Sequence, residues 1–281
     1  MPLRSGRRRP AGRGPAAGSP WWAGPLPIVA VVALVVAAVA VFLLTGALRP
    51  AHPIPTPSPS VQSQVIQTLT GLDVPRTEAV GSGGLKSPLQ RVSASPLLGP
   101  QGRPQVLYVG AEYCPFCAAQ RWSLVVALAR FGTLTGLGLT TSSSSDVYPD
   151  TPTLSFVHSS YSSDSLEFAA VEETDRNRNP LQTPTADQER IFEQLNSRGS
   201  IPFVDFGNRY VTIGASFQPD VLQGLSWQQI ADQLASNPQG PAASKVLGVA
   251  NWMTAALCQQ LASPPAAVCG GPEISQLRLQ L

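Results

Sequence analysis

Residues 105–122 read QVLYVGAEYCPFCAAQRW, and this stretch decides the fold of the surrounding chain. Its first six residues are a short apolar run with β-favouring side chains, which is typical of a buried strand. The sequence CPFC at 114–117 follows almost directly, and hydrophobic side chains then recur at helical spacing through Phe131. The stretch therefore predicts a strand, a tight junction that holds two cysteines, and a helix.

A cysteine at the start of a helix is well placed for thiolate chemistry. The thiolate is the attacking species, and a helix N-terminus stabilises it with a partial positive charge and free N–H donors. The two-residue gap places the second sulfur one turn away, where it can resolve a mixed disulfide. Pro115 occupies a first-turn position, where its missing N–H costs nothing. We therefore predict that Cys114 is the nucleophile and Cys117 the resolving thiol.

Two other interpretations of this pair stay open, a plain surface disulfide and a zinc site. A zinc site would need further ligands from Cys258 and Cys269, because the only two histidines are isolated. His52 lies in a proline-rich segment and His158 follows an apolar run. The prediction is accordingly no metal and no cofactor.

The remaining two of the four cysteines, Cys258 and Cys269, close a loop of 12 residues at the end of an apolar helix. The simplest interpretation is a structural disulfide, worth about 3 kcal/mol for a loop of this length. The alternative is a second redox pair that exchanges with Cys114 and Cys117. An even cysteine count in an oxidising compartment favours disulfides in either case.

Other patterns predict an alternation of strands and helices. A capping-box pattern opens a helix at Thr185, and Gly207-Asn208 between two β-rich runs predicts a hairpin. Such an order indicates a mixed α/β sheet flanked by helices. The predicted strands are 105–110, 134–141, 154–157, 166–172, 203–206 and 209–213, and the predicted helices are 61–72, 118–131, 185–196, 226–236 and 241–261.

The N-terminal region carries the charge asymmetry of the chain. Residues 1–24 hold five arginines and no acidic residue, whereas the rest has fourteen basic and seventeen acidic side chains. The run from 26 to 48 has no charge over 23 residues, and about 20 apolar residues span a bilayer. This predicts a transmembrane helix over 25–48 with a cytoplasmic N-terminus. A cleavable signal peptide is the alternative, since Thr45-Gly46-Ala47 ends in small residues.

The remaining segments complete the predicted organisation. Charged residues are only 13% of the chain, and the weakly acidic part after residue 24 excludes broad phosphate-backbone binding, so no nucleic-acid partner is expected. Residues 49–60 carry five prolines in twelve, which predicts an extended tether. The predicted divisions are a basic tail at 1–24, a transmembrane helix at 25–48, a tether at 49–60, an irregular extension with a short helix at 61–104, a domain at 105–270 and a tail at 271–281.

The order strand, CPFC, helix, strand, helix, Ile201-Pro202, hairpin and helix resembles the thioredoxin fold. Members of that superfamily carry a cis-proline that faces the cysteine pair, and Pro202 matches its position. The resemblance implies that Pro202 and the backbone of Ile201 bind extended peptide. The dipeptide between the cysteines is closer to glutaredoxins than to the Gly-Pro of cytosolic thioredoxin, which has Trp where this chain has Tyr113.

A closer resemblance spans most of residues 100–270. It is to an uncharacterised family of membrane-anchored thioredoxin-like proteins of actinobacteria and archaea. The motifs that carry it are GAEYCPFCAAQRW at 110–122, Phe131-Gly132, Ile201-Pro202-Phe203, Ala250-Asn251 and the Cys258/Cys269 pair.

The spacing departs from the bare thioredoxin fold. Cys117 and Pro202 are 85 positions apart, about twice the spacing that the resemblance implies. The excess predicts an insertion at about 142–184, before the proline, as a substrate-facing lobe or extra edge strands. Within it, residues 172–178 (EETDRNR) are predicted to be a solvated turn. Glu112 and Tyr113 flank the thiols and are candidates for proton relay or for shaping access, with local capping and packing as the alternative.

Together these features predict a membrane-tethered extracytoplasmic thiol–disulfide oxidoreductase. Its expected partners are cysteine-containing extracytoplasmic proteins and a redox partner in the membrane, to which residues 25–48 would anchor it. The alternative is a non-catalytic module that uses the same scaffold to bind a peptide or a partner, with its disulfides purely structural. The direction of exchange is left open by the sequence.

Overall fold

The structure is a computed structural model that describes the backbone of residues 25–47 and 57–281. Side chains are described at 29–41 and throughout 57–281. The chain forms two compact units, Met1–Pro53 and Ile54–Leu281. The basic tail at 1–24 and residues 49–56 of the tether lie outside the described residues.

The first unit contains helix α1, Pro25–Ala47, within the run predicted to be a transmembrane segment. Its side chains at 29–41 are exposed. Among the residues that the structure describes, no helix is both long and apolar enough to cross a membrane.

The second unit contains the remaining elements. Its helices are α2 (Pro59–Thr70), α3 (Val74–Glu78), α4 (Pro115–Ala129), α5 (Ala186–Leu195), α6 (Trp227–Ser236), α7 (Pro241–Gln260), α8 (Ala266–Cys269) and α9 (Pro272–Arg278), with a 3-10 turn at Pro219–Leu222. Its strands are β1 (Gln90–Arg91), β2 (Gln105–Gly110), β3 (Thr133–Thr135), β4 (Gly138–Thr141), β5 (Pro152–Ser155), β6 (Ser160–Ser162), β7 (Glu167–Glu172), β8 (Phe203–Phe206) and β9 (Tyr210–Ile213).

Five strands form the main sheet, in the order β1-β9-β8-β2-β7. Strand β2 pairs parallel with β7 on one side and antiparallel with β8 on the other. The hairpin β8–β9 and the pairing of β1 with β9 are antiparallel. The sheet is therefore mixed and flanked by helices, which confirms the predicted α/β class.

Alternate residues of β2 face opposite sides of the sheet, as the period of a strand requires. Val106 and Tyr108 belong to the larger core with α4 and α7, whereas Leu107 and Val109 pack on the side of α5. All four side chains are buried. Because both faces are covered, β2 is apolar throughout rather than alternating.

The hairpin predicted at Gly207-Asn208 is confirmed. Both residues have positive φ, 63° for Gly207 and 57° for Asn208. Two central residues with positive φ are the pattern of a type I′ turn, whose twist matches that of the flanking strands. The turn places Phe203, at the start of β8, at the opposite end of the sheet.

The strand predicted at 134–141 is in fact two strands with different partners. Strand β3 pairs with β6, and β4 pairs with β5, in two separate two-stranded sheets. Gly136 lies between them with a φ of 69°, a left-handed conformation that bends the chain and ends the first strand. The segment 142–184 contributes β5 and β6 to these sheets and supplies β7 as an edge of the main sheet.

Segments outside the predicted boundaries of the domain also pack on it. Helix α2 begins at Pro59, where the Ser58 hydroxyl caps it, so it includes the last two residues of the predicted tether. It buries Val65 and Leu69 in the main core. In the predicted C-terminal tail, α9 packs on α7 and buries its apolar face. The helices α2 and α9 are too short for their amphipathic spacing to predict this packing. In the structure, each covers apolar surface that would otherwise be exposed.

We expect Leu69→Ala to lower the free energy of unfolding by about 2–5 kcal/mol, because it leaves a cavity under α2. Urea denaturation of residues 54–281 measures this. The control is Gln64→Ala on the exposed face of the same helix, which should change stability by less than about 0.5 kcal/mol. Equal effects of the two substitutions would contradict the packing of α2.

Candidate active site

Cys114 lies where the central strand passes into helix α4, as the N-cap residue of that helix. Its backbone is extended, with φ −78° and ψ 119°. Its Sγ accepts a hydrogen bond from the backbone N–H of Cys117 at 3.3 Å. A thiolate at this position therefore receives a donor that the helix leaves unpaired, as the sequence predicts.

The two thiols are free and sit in different environments. Cys114 is 6% exposed and Cys117 is fully buried. A hydrogen bond from the Cys117 side chain lowers the pKa of Cys114. Burial opposes this shift, whereas backbone N–H groups and the charge of Arg121 add to it. Burial, with the same hydrogen bond and the nearby charge of Cys114, raises the pKa of Cys117 well above its ordinary value. At a given pH, Cys114 therefore carries a larger fraction of thiolate than Cys117.

The loop that ends at Pro202 lies beside Cys114. The Sγ of Cys114 is 4.0 Å from the carbonyl oxygen of Ile201, and the Ile201–Pro202 peptide bond is cis. The side chain of Asn196 holds this loop by a pair of hydrogen bonds to the backbone of Ser200, at 2.8 and 3.2 Å. The structure thus brings Cys114 and Ile201 together, although they are 87 residues apart in the sequence.

A buried ion pair lies behind the cysteines. Arg121 on α4 donates from Nε to Oε1 of Glu172 at 2.8 Å and from Nη2 to Oε2 at 2.6 Å. Both side chains are fully buried. Glu172 ends strand β7 and pairs in register with Gly110, the last residue of β2. The ion pair therefore ties the helix that carries both cysteines to the edge strand of the sheet.

Tyr108 completes this buried cluster. Its ring lies 5.7 Å from the guanidinium carbon of Arg121, and its hydroxyl lies over Gly110, where the absence of a Cβ makes room for it. Burial raises the pKa of Tyr108 well above its ordinary value, so the hydroxyl stays neutral. Among the described residues, neither Nη1 of Arg121 nor the Tyr108 hydroxyl has a hydrogen-bond partner.

Glu112 and Tyr113 lie beside the thiols, but among the described residues neither side chain hydrogen-bonds to a sulfur. The backbone N–H of Glu112 donates to Thr174 at 2.9 Å. The ring of Tyr113 is covered by the guanidinium of Arg178, 3.8 Å from the ring centroid. Desolvation, together with the charge of Cys114, raises the pKa of Tyr113. The contact of Tyr113 is thus a packing contact, and that of Glu112 is made by its backbone.

Two segments contact Glu112 and Tyr113, the residues just before Cys114. They are residues 142–151 and 173–180, and we call them the rim. Ion pairs join them, from Arg176 to Asp150 at 2.7 Å and from Arg178 to Asp146 at 3.4 Å. The segment 172–178 is therefore not simply a solvated turn. Its first residue, Glu172, is buried. Its last residue, Arg178, covers the ring of Tyr113, just before the cysteine motif.

Cys258 and Cys269 form a disulfide, in agreement with the predicted pairing. They lie far from the first pair, because α7 runs alongside α4 in the same direction. Arg130, the C-cap of α4, donates to Thr254 of α7 at 2.8 Å, and Cys258 follows one turn later. Since α4 has 15 residues, it separates this end from Cys114 by about 22 Å. The separation favours a structural disulfide over a second pair that exchanges directly.

Among residues 29–41 and 57–281, no group of three or more histidine, cysteine, aspartate or glutamate side chains could hold a metal.

The site residues predicted from the sequence do not include Tyr108, Arg121 or Glu172. Arg121 belongs to the motif at 110–122. The one sequence signal for it is that a charged residue lies four positions after Cys117 in an otherwise apolar helix. Glu172 is 51 residues away, and only the pairing of β7 with β2 brings it close.

Comparison with known proteins adds a family of undefined activity. Residues 90–199 match the family model described as Domain of unknown function (DUF929). The match covers strand β2, the cysteine motif, the buried ion pair and the rim, but it ends before Ile201. No curated protein and no solved structure matches the chain.

We expect the substitutions Cys117→Ser and Cys117→Ala to affect Cys114 differently. Serine keeps a hydroxyl donor for the Cys114 thiolate, whereas alanine removes the side-chain donor, so only alanine should raise the pKa of Cys114 clearly. The measurement is the rate of alkylation by iodoacetamide against pH, since only the thiolate reacts. Identical profiles for the two variants would show that the side-chain hydrogen bond does not stabilise the thiolate.

Removal of the disulfide by Cys258→Ala/Cys269→Ala should lower the free energy of unfolding by about 3 kcal/mol, as chain entropy predicts for a loop of this length. Alkylation of Cys114 in the folded protein should be unchanged, since the two pairs are a helix length apart. Altered Cys114 reactivity in this variant would instead indicate communication between the pairs.

Proposed function

We propose that this chain is a membrane-tethered extracytoplasmic thiol–disulfide oxidoreductase with a thioredoxin-like domain. The observation that carries the proposal is the asymmetry of the two thiols. Cys114 at the N-cap of α4 has a lowered pKa, and Cys117 one turn later has a raised one. A dithiol in which one thiol ionises readily and the other stays protonated is suited to exchange through a mixed disulfide.

The arrangement of elements supports the thioredoxin-like part of the proposal. Strand β2, the cysteine motif, helix α4, strand β7, helix α5, Ile201-Pro202, the hairpin β8–β9 and helix α6 occur in the order of the resemblance. The rim and the strands β3 to β6 are additions between α4 and α5. The strands β3 to β6 form two separate two-stranded sheets, apart from the main sheet.

The position of Ile201 supports a role in peptide binding. Its carbonyl oxygen is 4.0 Å from Cys114 Sγ, and Asn196 holds the preceding loop in place. A peptide strand that bonds to the backbone of Ile201, with Pro202 packed below it, would bring its own sulfur against Cys114. The proposed partners are therefore extracytoplasmic proteins that contain cysteine, with a redox partner in the membrane to restore the pair.

In the reductive direction, the Cys114 thiolate attacks one sulfur of a substrate disulfide. A bond forms between Cys114 and that sulfur, and the other substrate sulfur leaves as a thiolate that takes up a proton. Cys117, having lost its proton, then attacks Cys114, which releases the second substrate thiol and leaves a Cys114–Cys117 disulfide. Two electrons pass to the substrate, and the same steps in reverse oxidise a substrate dithiol.

We further propose that residues 25–47 anchor the chain in a membrane with the unit 54–281 outside. The support is the uncharged 26–48 run, the five arginines before it and the disulfide Cys258–Cys269, which suits an oxidising compartment. A protease-protection assay on intact and permeabilised cells tests this orientation.

A second candidate function, a non-catalytic binding module, is favoured by one observation. Cys114 is only 6% exposed, so little of its surface is open to a substrate sulfur. A module that only binds its partner would keep both thiols unused, or permanently joined, and would not depend on Cys114 as a nucleophile.

Substrate trapping tests the first proposal. In cells that express Cys117→Ala, we expect mixed disulfides between Cys114 and other proteins, seen as adducts on a non-reducing gel that dithiothreitol releases. The control Cys114→Ser/Cys117→Ala should form none, because it lacks the attacking thiol. Absence of adducts, together with an ordinary pKa for Cys114, would reject the oxidoreductase.

The single variant Cys114→Ser separates the two functions. An oxidoreductase loses activity with this substitution, whereas a binding module keeps its partner, because serine preserves the size and polarity of the side chain. Co-purification of the same partner with the wild-type protein and with Cys114→Ser, without any mixed disulfide, would favour the binding module.

A further inference from the structure

Arg121 follows Cys117 by four positions on helix α4, which makes the two side chains neighbours on one face of the helix. Both are fully buried. Glu172 occupies Nε and Nη2 of the guanidinium. Nη1 is buried as well and has no hydrogen-bond partner among the described residues. One donor of a fixed cation is therefore left unused inside the site.

The ionisable groups around this donor are few. Those that interact with Arg121 are Glu172, Tyr108, Cys117 and Cys114. Cys117 in turn interacts with Cys114 and Arg121, and Glu112 acts on Glu172 from the end of β2. Tyr108 is neutral, so Arg121 is the one cation that faces the buried thiol among these groups.

We propose that Arg121 is a positioning residue that supplies the counter-charge for the thiolate of Cys117, and that Glu172 limits how much of this charge the thiolate receives. The proposal rests on the proposed function, since it concerns the step in which Cys117 resolves the mixed disulfide. It assigns a role to an ion pair that packing alone does not require, because apolar side chains of similar volume would fill the same space at no cost in desolvation.

The physical reason lies in the burial of Cys117. Its thiol must lose a proton before it attacks Cys114, and a thiolate without a partner is costly in an apolar interior. A fixed positive charge one helical turn away offsets part of that cost. In the oxidative direction Cys117 is the leaving group, and the same charge stabilises it as it departs.

The two partners of the ion pair should have opposite effects on Cys117. Glu172→Gln keeps the shape and one acceptor but removes the negative charge, so Arg121 acts on Cys117 unopposed and its pKa falls. The double variant Arg121→Gln/Glu172→Gln removes both charges without leaving a buried carboxylate unpaired, and the pKa of Cys117 rises. A merely structural ion pair would give changes of the same sign in both variants.

The experiment follows the reaction of the reduced full chain, purified in detergent, with the aromatic disulfide 5,5′-dithiobis(2-nitrobenzoate). Attack by Cys114 releases one thionitrobenzoate, and attack by Cys117 on the resulting mixed disulfide releases the second. The absorbance therefore rises in two phases. The first reports attack by Cys114, whose pKa the charge of Arg121 also lowers, and the second reports resolution by Cys117. Both rates are measured from pH 6 to pH 9.

We expect Glu172→Gln to speed the second phase near neutral pH and to move its pH profile down. The double variant should slow the second phase and move its profile up. A shift of one pKa unit changes the thiolate fraction tenfold, but nucleophilicity changes in the opposite sense, so the net change in rate is about threefold. Arg121→Lys keeps the charge on a shorter side chain, and its profile should stay closer to wild type than that of the double variant.

Unchanged second-phase profiles, or shifts of the same sign, would overturn the role of Arg121 while leaving the oxidoreductase intact. A wild-type protein without a second phase would instead reject the proposed function itself. Near-ultraviolet circular dichroism of each variant verifies the fold. If a variant with a single unpaired buried charge is too unstable, the neutral double variant still provides the test.

Discussion

Strand β2 is the constraint on which the rest of the domain depends. It is hydrogen-bonded to a neighbour on each edge and covered by helices on both faces. A strand in this position has no polar side, so its register and direction are fixed by the apolar residues that it buries. Because Gly110 ends this strand, the cysteine motif emerges at a defined point, and helix α4 begins there with Cys114 as its cap.

The electrostatics of the site follow from this junction. Two chemically identical thiols three positions apart acquire opposite pKa shifts. The Cys117 side chain and backbone N–H groups of the helix stabilise the Cys114 thiolate, whereas burial disfavours a thiolate at Cys117. The buried Arg121–Glu172 pair adds a fixed positive charge behind them, and its cost in desolvation is met by a bidentate geometry. The opposite pKa shifts of Cys114 and Cys117 are thus properties of position rather than of residue type.

Several features could be read from local patterns alone. The strand at 105–110, the helix after CPFC, the capping box at Thr185 and the hairpin at Gly207-Asn208 all rest on short-range rules of backbone geometry. The division of 134–141 into two strands could not be read in this way, because a single Gly136 in a left-handed conformation decides it. The packing of α2 and α9 depended on distant apolar surface, which no short window contains.

The sequence by itself determined the mixed α/β class and the placement of two cysteines at a helix start, since these depend on residue type and spacing along a few turns of chain. Only the tertiary structure decided what surrounds the thiols. Ile201 reaches Cys114 across 87 residues and Glu172 reaches Arg121 across 51, and each approach depends on which strands pair in the sheet. Strand pairing is a long-range choice made by the burial of whole faces, so no local pattern carries it.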